Sequence, residues 1–484
     1  MSVTNPAAVR FQRPPRLFWL ISTLLVGLFW GLAALKHYLL QSTAWDLGIF
    51  DQVAWKMSQG LEPRSTLSGL HHMGDHGAWA FYAIGPLYRL APSVHWLFLT
   101  QALALILTAW PFWHLSVQAG LKQRERWLIC GLWWLQPLVF NVNLFDFHPG
   151  TWAMPLLALA IWANRAERRW LWIACLFLAM GCKAGIGFIV VGIALEQALR
   201  QRWRWAVEAL LVGGGWLFFA YDRLFPALNN DPGLMNFGRL QSRYSHLGDG
   251  VGDILQTALF SPMKLLGVLD WSSIVFYLFL LSLPLAFYWR RPSLPMLAAT
   301  LPLIIVNSLS SHELQRDLLH ESSLHLTVPL VVASMDGFAT DLRQSRLWLT
   351  RRLWFCTFWA ALCFTLLAKR GYSLGYHVIT KINKVQPVYS LIVQIADNDS
   401  VLTHNHLAPH LSQRLVVKLL SGEQSLTAAD LDQLDVALLN RHDPRWPTSI
   451  QHTAATIEQL QAMQWTCEED DQSGFVLCQK PKSR

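Results

Sequence analysis

Charged residues are scarce in this chain. Asp, Glu, Lys and Arg together make up 14% of its 484 residues, against about 25% in an ordinary soluble domain. Hydrophobic residues make up 53% of the chain, and its mean hydropathy is +0.28. So little charge with so much apolar surface predicts that lipid is the main solvent of this protein.

Several motifs of soluble enzymes are also missing. The sequence contains no P-loop, no dinucleotide glycine fingerprint, no CxxC pair and no HExxH motif, so it shows no machinery for ATP-driven transport or nicotinamide chemistry. The formal net charge of +8 does not indicate a nucleic-acid partner. Most of the excess Lys and Arg lies in short turns between apolar runs, as membrane orientation requires.

Long apolar runs recur along the first three quarters of the chain, and several approach the roughly 20 residues that cross a hydrocarbon core. They predict an α-helical polytopic membrane protein with about eleven transmembrane helices. The predicted spans are residues 17–40, 95–118, 127–141, 152–164, 170–182, 184–199, 205–221, 273–289, 294–310, 323–339 and 353–369. The first span is longer than the apolar stretch of a signal peptide, which favours a retained signal anchor.

The turns between these spans alternate in charge. Those assigned to the inner side are all basic: Arg10/Arg13/Arg16, Lys122/Arg124/Arg126, Arg165/Arg168/Arg169, Arg200/Arg202/Arg204, Arg290/Arg291 and Arg343/Arg346/Arg351/Arg352. Because basic loops stay in the cytoplasm, we expect a cytoplasmic N-terminus and an exported C-terminus. Multi-pass insertion in a cell membrane follows, with membrane lipid as a partner.

Two regions extend beyond the spans. We expect residues 1–370 to form the transmembrane domain, with long outer loops at 41–94 and 222–272, and residues 371–484 to form a small soluble α/β domain outside. Helical spacing of apolar residues from Trp45 to Trp55 predicts a helix lying in the membrane interface. In the tail, the predicted helices are Val388–Ala396 and Ser449–Met463, and the predicted strands are Ser400–Thr403, Leu415–Leu420 and Val436–Leu439, followed by a hairpin from Trp465 to Cys478.

The ionisable side chains concentrate on the outer side. Because such groups are costly at a membrane, a convergent set predicts a functional site; solvated loop residues are the alternative for any one of them. The set is Asp46, Asp51, Asp75, His76, Asp146, His148, Lys183, His312, Glu313, His320, Glu321 and His325.

Asp46 and Asp51 follow the first span. Five residues apart on one helix, they point about 140° away from each other, so they do not form a carboxylate pair unless the helix breaks at Gly48. Lys183 ends a span on the outer side. Its side chain either extends to the interface or binds an anionic head group.

Two short segments each combine a carboxylate with an imidazole, namely Asp75-His76 and Asp146-Phe147-His148. Such pairs suit a phosphate or a divalent metal without specifying the metal.

Two of the seven cysteines lie outside the spans. Cys467 and Cys478 stand on the two arms of the predicted hairpin, in a compartment that permits disulfides. A turn centred between Gln472 and Ser473 places them directly opposite, with Cβ atoms about 4.5–5.5 Å apart. We therefore predict a disulfide between them.

Several motifs resemble one family along nearly the whole chain. They are Trp45-Asp-Leu-Gly-Ile-Phe-Asp-Gln52, Gly74-Asp-His76, Pro86-Leu-Tyr-Arg89, Phe145-Asp-Phe-His-Pro149, His325-Leu-Thr-Val-Pro329 and Ser400-Val-Leu-Thr-His-Asn-His-Leu-Ala-Pro-His-Leu-Ser-Gln-Arg414. The family is a bacterial group of predicted membrane proteins, domain of unknown function 2079. It is similar to the type-C glycosyltransferases, which take a sugar from a polyprenyl phosphate at the outer face of the membrane.

The resemblance implies an inverting, hexosyltransferase-like enzyme of the bacterial inner membrane with a lipid-linked sugar donor. It implies that Asp46, or else Asp51, is the catalytic base. Lys183, with His325 or Arg89, would steady the departing phosphate. The implied substrate-binding residues are Gln52, Asp75, His76, Arg89, Asp146, His148, Lys183 and His325. Many relatives have Lys-Glu where this chain has Lys183-Ala184, which leaves Lys183 without an adjacent acid.

Two other functions are compatible with these features. A transporter of a polar solute would need ionisable groups in the middle of several helices or inverted repeats, and the sequence shows neither. A non-catalytic scaffold with an exported binding domain would tolerate substitution of Asp46. The sequence leaves the oligomeric state open.

Overall fold

A computed structural model describes residues 13–229, 241–344, 353–422, 426–470 and 474–481 of the chain. Some residues used in the predictions above lie outside these ranges. They are Arg10, Arg346, Arg351, Arg352 and the hairpin residues Gln472 and Ser473.

Helices dominate the first part of the chain. In order they are α1 (Arg16–Tyr38), α2 (Ile49–Ser58), α3 (His72–His76), α4 (Gly85–Leu90), α5 (His95–Leu107), α6 (Ala109–Gln118), α7 (Gln123–Trp134), α8 (Pro137–Asn143), α9 (Ala153–Arg165), α10 (Arg169–Met180), α11 (Gly187–Leu199), α12 (Trp203–Phe219) and α13 (Phe225–Asn229). Helix α1 and the combined α5–α6 match the predicted spans 17–40 and 95–118. The predicted span 127–141 is divided, because Pro137 cannot donate the backbone hydrogen bond that would continue α7.

The second part continues with short helices and one long one. They are α14 (Gln241–Tyr244), α15 (Val251–Phe260), α16 (Pro262–Gly267), α17 (Trp271–Ser282), α18 (Leu294–Ala298), α19 (Leu301–Leu309), α20 (Thr327–Gln344), α21 (Leu353–Leu367), α22 (Lys369–Lys381) and α23 (Gln386–Ile392). Among the described residues, two helices, Arg16–Tyr38 and His95–Gln118, are long and apolar enough to cross a membrane. Up to four spans result if each of two sharply bent helix pairs counts as one.

The helices pack around one large apolar core. It includes Phe18 of α1, Trp113 of α6, Trp133 of α7 and Trp172 of α10, all buried. Close backbone approach is needed where α11 meets the segment after α18: a Cβ atom on Gly192 would lie 1.8 Å from the carbonyl oxygen of Ala299. Small residues at such crossings are typical of helix packing in membranes.

The tail forms a five-stranded mixed sheet. Its strands are β1 (Val401–Thr403), β2 (Val417–Leu419), β3 (Val436–Asn440), β4 (Thr466–Asp470) and β5 (Phe475–Gln479), and helices α24 (Ala428–Asp432) and α25 (Ile450–Ala462) complete the region. The strand order is β2-β1-β3-β5-β4. β1 runs parallel to β2 and β3, whereas β5 is antiparallel to β3 and β4. The three predicted strands and the predicted hairpin are all present.

Both faces of this sheet are covered, as the alternation of side chains along each strand requires. Leu402 and Leu439 face α25, where they pack on Ile457 and Leu460. The opposite face, which includes Val401, packs on the residues that follow α1 and on α22 and α23. The tail sheet is therefore built directly onto the end of the first long helix.

The hairpin register places Cys467 opposite Cys478. Their sulfur atoms are joined at 2.05 Å. The other five cysteines are free and buried.

The segment from Trp45 to Trp55 corrects one prediction. It begins as a π-helical turn, Ala44–Gly48, and continues as α2. Ile49, Phe50, Val53 and Ala54 are all buried within the protein. Its apolar side chains therefore pack in a protein interior, and the prediction of a helix lying in the membrane interface is wrong.

Candidate functional site

The ends of several helices meet around Asp46. This residue lies in the π-helical turn that follows α1, and its Oδ1 atom is 3.0 Å from Nε2 of His148. The hydroxyl of Thr43 donates to Oδ2 of Asp46 at 3.1 Å. The Asp46 side chain is 22% exposed and that of His148 only 3%. Asp46 is therefore the member of this pair that a ligand can reach.

Asp146 is bound by a different partner. Nζ of Lys36, in the last turn of α1, lies 2.6 Å from its Oδ1 atom, and the backbone N–H of Thr43 donates to its Oδ2 atom at 3.0 Å. The neighbouring residues Asp146 and His148 thus pair with Lys36 and Asp46, each about a hundred positions away in sequence. Although they are close in sequence, the two side chains therefore bind partners from distant elements and not each other.

Lys183 has an acidic partner after all. It forms an ion pair with Glu321, at the start of the 3₁₀ turn Glu321–Leu326. The acid missing next to Lys183 in sequence is therefore supplied by a segment 138 residues later.

Gly150 lets the remaining imidazole approach this pair. Its carbonyl oxygen lies 3.1 Å from Nε2 of His325. A Cβ atom on Gly150 would lie 3.1 Å from that nitrogen and 3.3 Å from Oε2 of Glu321. His325 is buried and bonded to backbone, so it positions its neighbours.

The charges in this cluster support one another. Burial alone would raise the pKa of Asp46, but the hydrogen bond and the charge of His148 bring it below its ordinary value. For His148, burial lowers the pKa, and the carboxylates of Glu321 and Asp46 outweigh burial and raise it. Burial likewise opposes ionisation of Glu321, but Lys183 holds its pKa well below the usual range. Two ionised carboxylates therefore flank His148 at neutral pH.

A second cation borders the same cluster. The guanidinium of Arg370 lies over the ring of Phe145 at 4.3 Å. The imidazole of His148 stacks on the same ring at 5.1 Å. Arg370 also lies 3.4 Å from Nε2 of His320, and Nδ1 of His320 contacts Asp317 at 2.5 Å. The ring of Phe145 thus contacts both Arg370 and His148.

Sequence reasoning missed Lys36 and Arg370 and did not single out Glu321. Two signals could have found the cations. Lys36 is a charge in the last turn of an otherwise apolar helix, and Arg370 follows directly after the last apolar run; both are positions where a charge marks function.

Asp51 and Gln52 lie elsewhere. The Asp51 carboxylate is buried and accepts hydrogen bonds from Tyr88 at 2.7 Å, Ser412 at 2.5 Å and Gln413 at 3.1 Å. Burial raises the pKa of Asp51. Gln52 is buried as well, and its amide binds Thr66 and the carbonyl oxygen of Arg414. Both residues hold the first outer loop to the tail.

The tail also supports the turn that carries Asp46. The backbone N–H of Ala44 lies 2.8 Å from Oδ1 and 2.9 Å from the carbonyl oxygen of Asn405. The position of Asp46 therefore depends on residues that are some 360 positions later in the chain.

The other predicted binding residues are more peripheral. Nδ1 of His76 lies 3.3 Å from Oδ2 of Asp75. The His76 ring packs on Phe50 at 5.0 Å, and Phe50 lies 6.2 Å from the ring of His148. Arg89 is exposed at the end of α4, and no ion pair joins it to the described residues.

Besides a phosphate, a divalent metal is the ligand that the two Asp–His segments suit. Within the described part of the chain, no group of three or more His, Cys, Asp or Glu side chains is placed to hold a metal ion.

The apolar helices, with a charged cluster at their ends, are those of a helical membrane protein. Comparison with known protein families then assigns the family. The chain belongs to the family described as Predicted membrane protein (DUF2079), whose model matches residues 36–477. No curated protein matches the chain.

Among solved structures, the chain is similar to ArnT from Cupriavidus metallidurans bound to undecaprenyl phosphate. The identity is 12%, the TM-score is 0.54, and the match covers 96% of this chain and 97% of ArnT. The apo state of the same protein matches at 13% identity and a TM-score of 0.49, over 95% and 98% of the two chains. The likeness to the lipid-bound structure shows that this chain shares the fold of ArnT.

Proposed function

We propose that this chain is a membrane glycosyltransferase that moves a sugar from a polyprenyl-phosphate donor to an acceptor hydroxyl at the outer face of the bacterial inner membrane. One observation carries the proposal: the part-exposed carboxylate of Asp46 is held by His148 at the outer end of α1. The charges of the Lys183–Glu321 ion pair act on the same imidazole. The fold shared with ArnT, whose structure holds undecaprenyl phosphate, supports the class of lipid donor.

Asp46 is the proposed general base. Its carboxylate accepts the proton of the acceptor hydroxyl while that oxygen attacks the anomeric carbon of the donor sugar. The bond between the anomeric carbon and the phosphate oxygen breaks, and the polyprenyl phosphate leaves with the electron pair. Attack opposite the leaving group inverts the configuration at the anomeric carbon. His148 keeps the base ionised and oriented through its hydrogen bond.

Lys183 and Arg370 are the proposed partners of the departing phosphate. Lys183 is 26% exposed and paired with Glu321, so a donor phosphate competes with that carboxylate for the ammonium group. Arg370 adds a guanidinium held over the ring of Phe145, and a guanidinium matches the geometry of phosphate oxygens. These two cations replace the pairing of Lys183 with His325 or Arg89, because His325 is bonded to Gly150 and Arg89 is exposed on α4.

The orientation and the domain limits belong to the same proposal. We propose about eleven spans, a cytoplasmic N-terminus, a transmembrane domain at 1–370 and an exported domain at 371–484. Contacts support the sidedness: Arg165 and Arg200, assigned to the inner side from different turns, both bind Asp336. The Asp46 cluster gathers residues that were assigned to the outer side.

The test is mass spectrometry of lipids and envelope glycans from cells with and without the gene. The proposal expects a glycan to lose one sugar in the deletion strain and to regain it with the wild-type gene. The Asp46→Asn variant should not restore it, whereas the matched control Asp432→Asn, an exposed carboxylate of the tail, should. Unchanged glycans and lipids in the deletion strain would contradict the proposal and favour a transporter or scaffold.

A further inference from the structure

A pocket separate from the Asp46 cluster lies between the outer helices and the tail. Its volume is about 330 Å³, and its walls come from four places: the end of α1, Asp51 of α2, residues 92–94 before α5, and residues 397 and 409–414 of the tail. This volume is at the lower end of the range, about 300–1,000 Å³, that is typical of small-molecule sites. It shares no residue with the Asp46 cluster.

The walls are mainly polar, and two of their charged groups, those of Asp51 and Arg414, are buried and fixed by hydrogen bonds. Asp51, fixed by Tyr88, Ser412 and Gln413, lines one side. Arg414 is held by the carbonyl oxygens of Leu411, Ala396 and Asp399 at 2.7, 3.1 and 3.1 Å. The pocket is therefore held in shape by hydrogen bonds between the first outer loop and the tail.

Two imidazoles with unused nitrogens also line the pocket. The rings of His37 and His410 stack at 3.9 Å with 15° between their planes. Nδ1 of His37 and Nε2 of His410 are buried and have no hydrogen-bond partner within the described residues. Buried polar atoms ordinarily have a partner, so these two nitrogens indicate a polar ligand.

The charged groups in the walls indicate which class of ligand the pocket can bind. The pocket contains the carboxylates of Asp51 and Asp397 and one guanidinium, that of Arg414. The stacked imidazoles are too close for both to be protonated readily. With two carboxylates against one cation, the pocket disfavours an anion such as a phosphate. Carboxylate, amide and imidazole groups beside apolar Pro409 and Leu411 suit the hydroxyl groups and the apolar ring face of a sugar.

We infer that this pocket binds an uncharged saccharide unit of one or two rings, at the junction between the first outer loop and the tail. The saccharide would bridge the two regions. Its hydroxyl groups would form hydrogen bonds with the carboxylates of Asp51 and Asp397, the amide of Gln413 and the two imidazoles. The inference stands apart from catalysis at Asp46, since binding here needs no lipid donor.

The experiment uses the full chain in lipid nanodiscs without any polyprenyl donor. Glucose, N-acetylglucosamine and maltose are the uncharged probes, and glucuronate and inorganic phosphate are the charged ones. Binding is measured by saturation-transfer NMR and calorimetric titration. At least one uncharged probe should bind with a Kd of about 1 mM or tighter, and neither charged probe should bind as tightly.

Two variants locate the site. Ser93→Trp fills the pocket and should weaken binding by about tenfold or more, and Asp397→Ala removes a charged acceptor and should weaken it by about threefold to tenfold. Glu468→Gln, on the exposed face of β4, is the matched control and should leave Kd unchanged. The inference is overturned if no uncharged probe binds, if a charged probe binds best, or if binding is unaffected in both pocket variants.

Discussion

His148 Nε2 lies 3.0 Å from Oδ1 of Asp46, although 102 positions separate the two residues in sequence. This contact joins the turn after the first helix to the loop before α9. Because His148 is almost wholly buried and Asp46 is not, the imidazole supports the carboxylate and leaves the carboxylate to meet the substrate.

Replacing Asp46 with Asn tests the proposed base. The amide keeps the size of the side chain and removes its basicity, so kcat should fall by about 10² to 10⁴ with little change in membrane insertion. Transfer of labelled sugar by the purified variant in lipid measures this once a donor is known. Full activity at a normal protein level would remove Asp46 as the base.

Asp51→Asn is the matched comparison. Asp51 is bound by Tyr88 and by the tail, so the change should leave kcat closer to wild type and lower thermal stability instead. A larger loss of kcat in Asp51→Asn than in Asp46→Asn, at equal stability, would reverse the two assignments.

The Asp46–His148 pair predicts a pH dependence of stability. Burial is outweighed in both groups, so the pKa of His148 is raised above 6.5 and that of Asp46 is lowered below 3.8. A raised imidazole pKa stabilises the fold below 6.5, and this contribution is lost as pH rises through the folded pKa. A lowered carboxyl pKa stabilises above 3.8 and is lost as pH falls through its folded value.

His148→Gln should therefore lower the unfolding temperature in nanodiscs more at about pH 6 than at about pH 9. His442→Gln, at an exposed position of the tail, is the control and should show no such trend. An equal loss at both pH values would mean that His148 acts by packing alone.

The tail shows how far the sequence predicts the fold. Alternating apolar residues and turn residues located the strands and α25 to within a few positions, because each face of the sheet is buried. The spans were harder to delimit. Pro137 divides one predicted span into α7 and α8, and the helix pair around Ala298 and Leu301 bends by 55°, since proline and short breaks interrupt helices that hydropathy alone reads as continuous.

For the candidate site, the sequence grouped the ionisable residues on the side that we assign as outer, but it did not indicate which of them touch. Asp46, His148 and Lys183 were all in the predicted set. The pairing of Lys183 with Glu321 depends on how α11 packs against α19, and no local spacing encodes that contact. Asp46 and Asp51 lie on one continuous helical segment, because Gly48 keeps helical backbone angles. Their spacing of five residues points the two carboxylates into different surroundings, as predicted.

The disulfide of the tail is testable by mass. Alkylation of the denatured protein without reductant should label five of its seven cysteines, because Cys467 and Cys478 are joined and the remaining cysteines are free. Reduction should raise the count to seven. Seven labels before reduction would show that the two tail cysteines are thiols.

Reporter fusions test the orientation. A fusion after Arg204 should report the cytoplasm and one after Leu367 the outside, because basic turns remain inside. The basic turns assigned to the inner side also pair with acids that sequence reasoning passed over: Asp336 pairs with Arg165, and Asp341 with Arg290. The same location for both fusions would make the span count wrong.

The Lys183–Glu321 ion pair separates a structural role from a catalytic one. Each side chain is mostly buried, so Lys183→Met leaves the Glu321 carboxylate without its cation and Glu321→Gln leaves the ammonium without its anion. Each single variant should lose stability, and the double variant should lose less than the sum, with a coupling of about 1–3 kcal/mol. Thermal and denaturant unfolding in nanodiscs measure these differences.

Activity should follow a different pattern in the same variants. Any variant with Lys183→Met should show a raised donor KM or a lowered kcat, because the departing phosphate has lost its ammonium partner, and Glu321→Gln should retain more activity than the double variant. The control pair is Arg290→Met with Asp341→Asn, an ion pair at 2.7 Å on the side assigned to the cytoplasm. It should show similar coupling in stability and no change in donor KM, because it contains no residue of the Asp46 cluster. Wild-type kcat and donor KM in Lys183→Met would leave Arg370 as the proposed cation for the phosphate and make the ion pair with Glu321 purely structural.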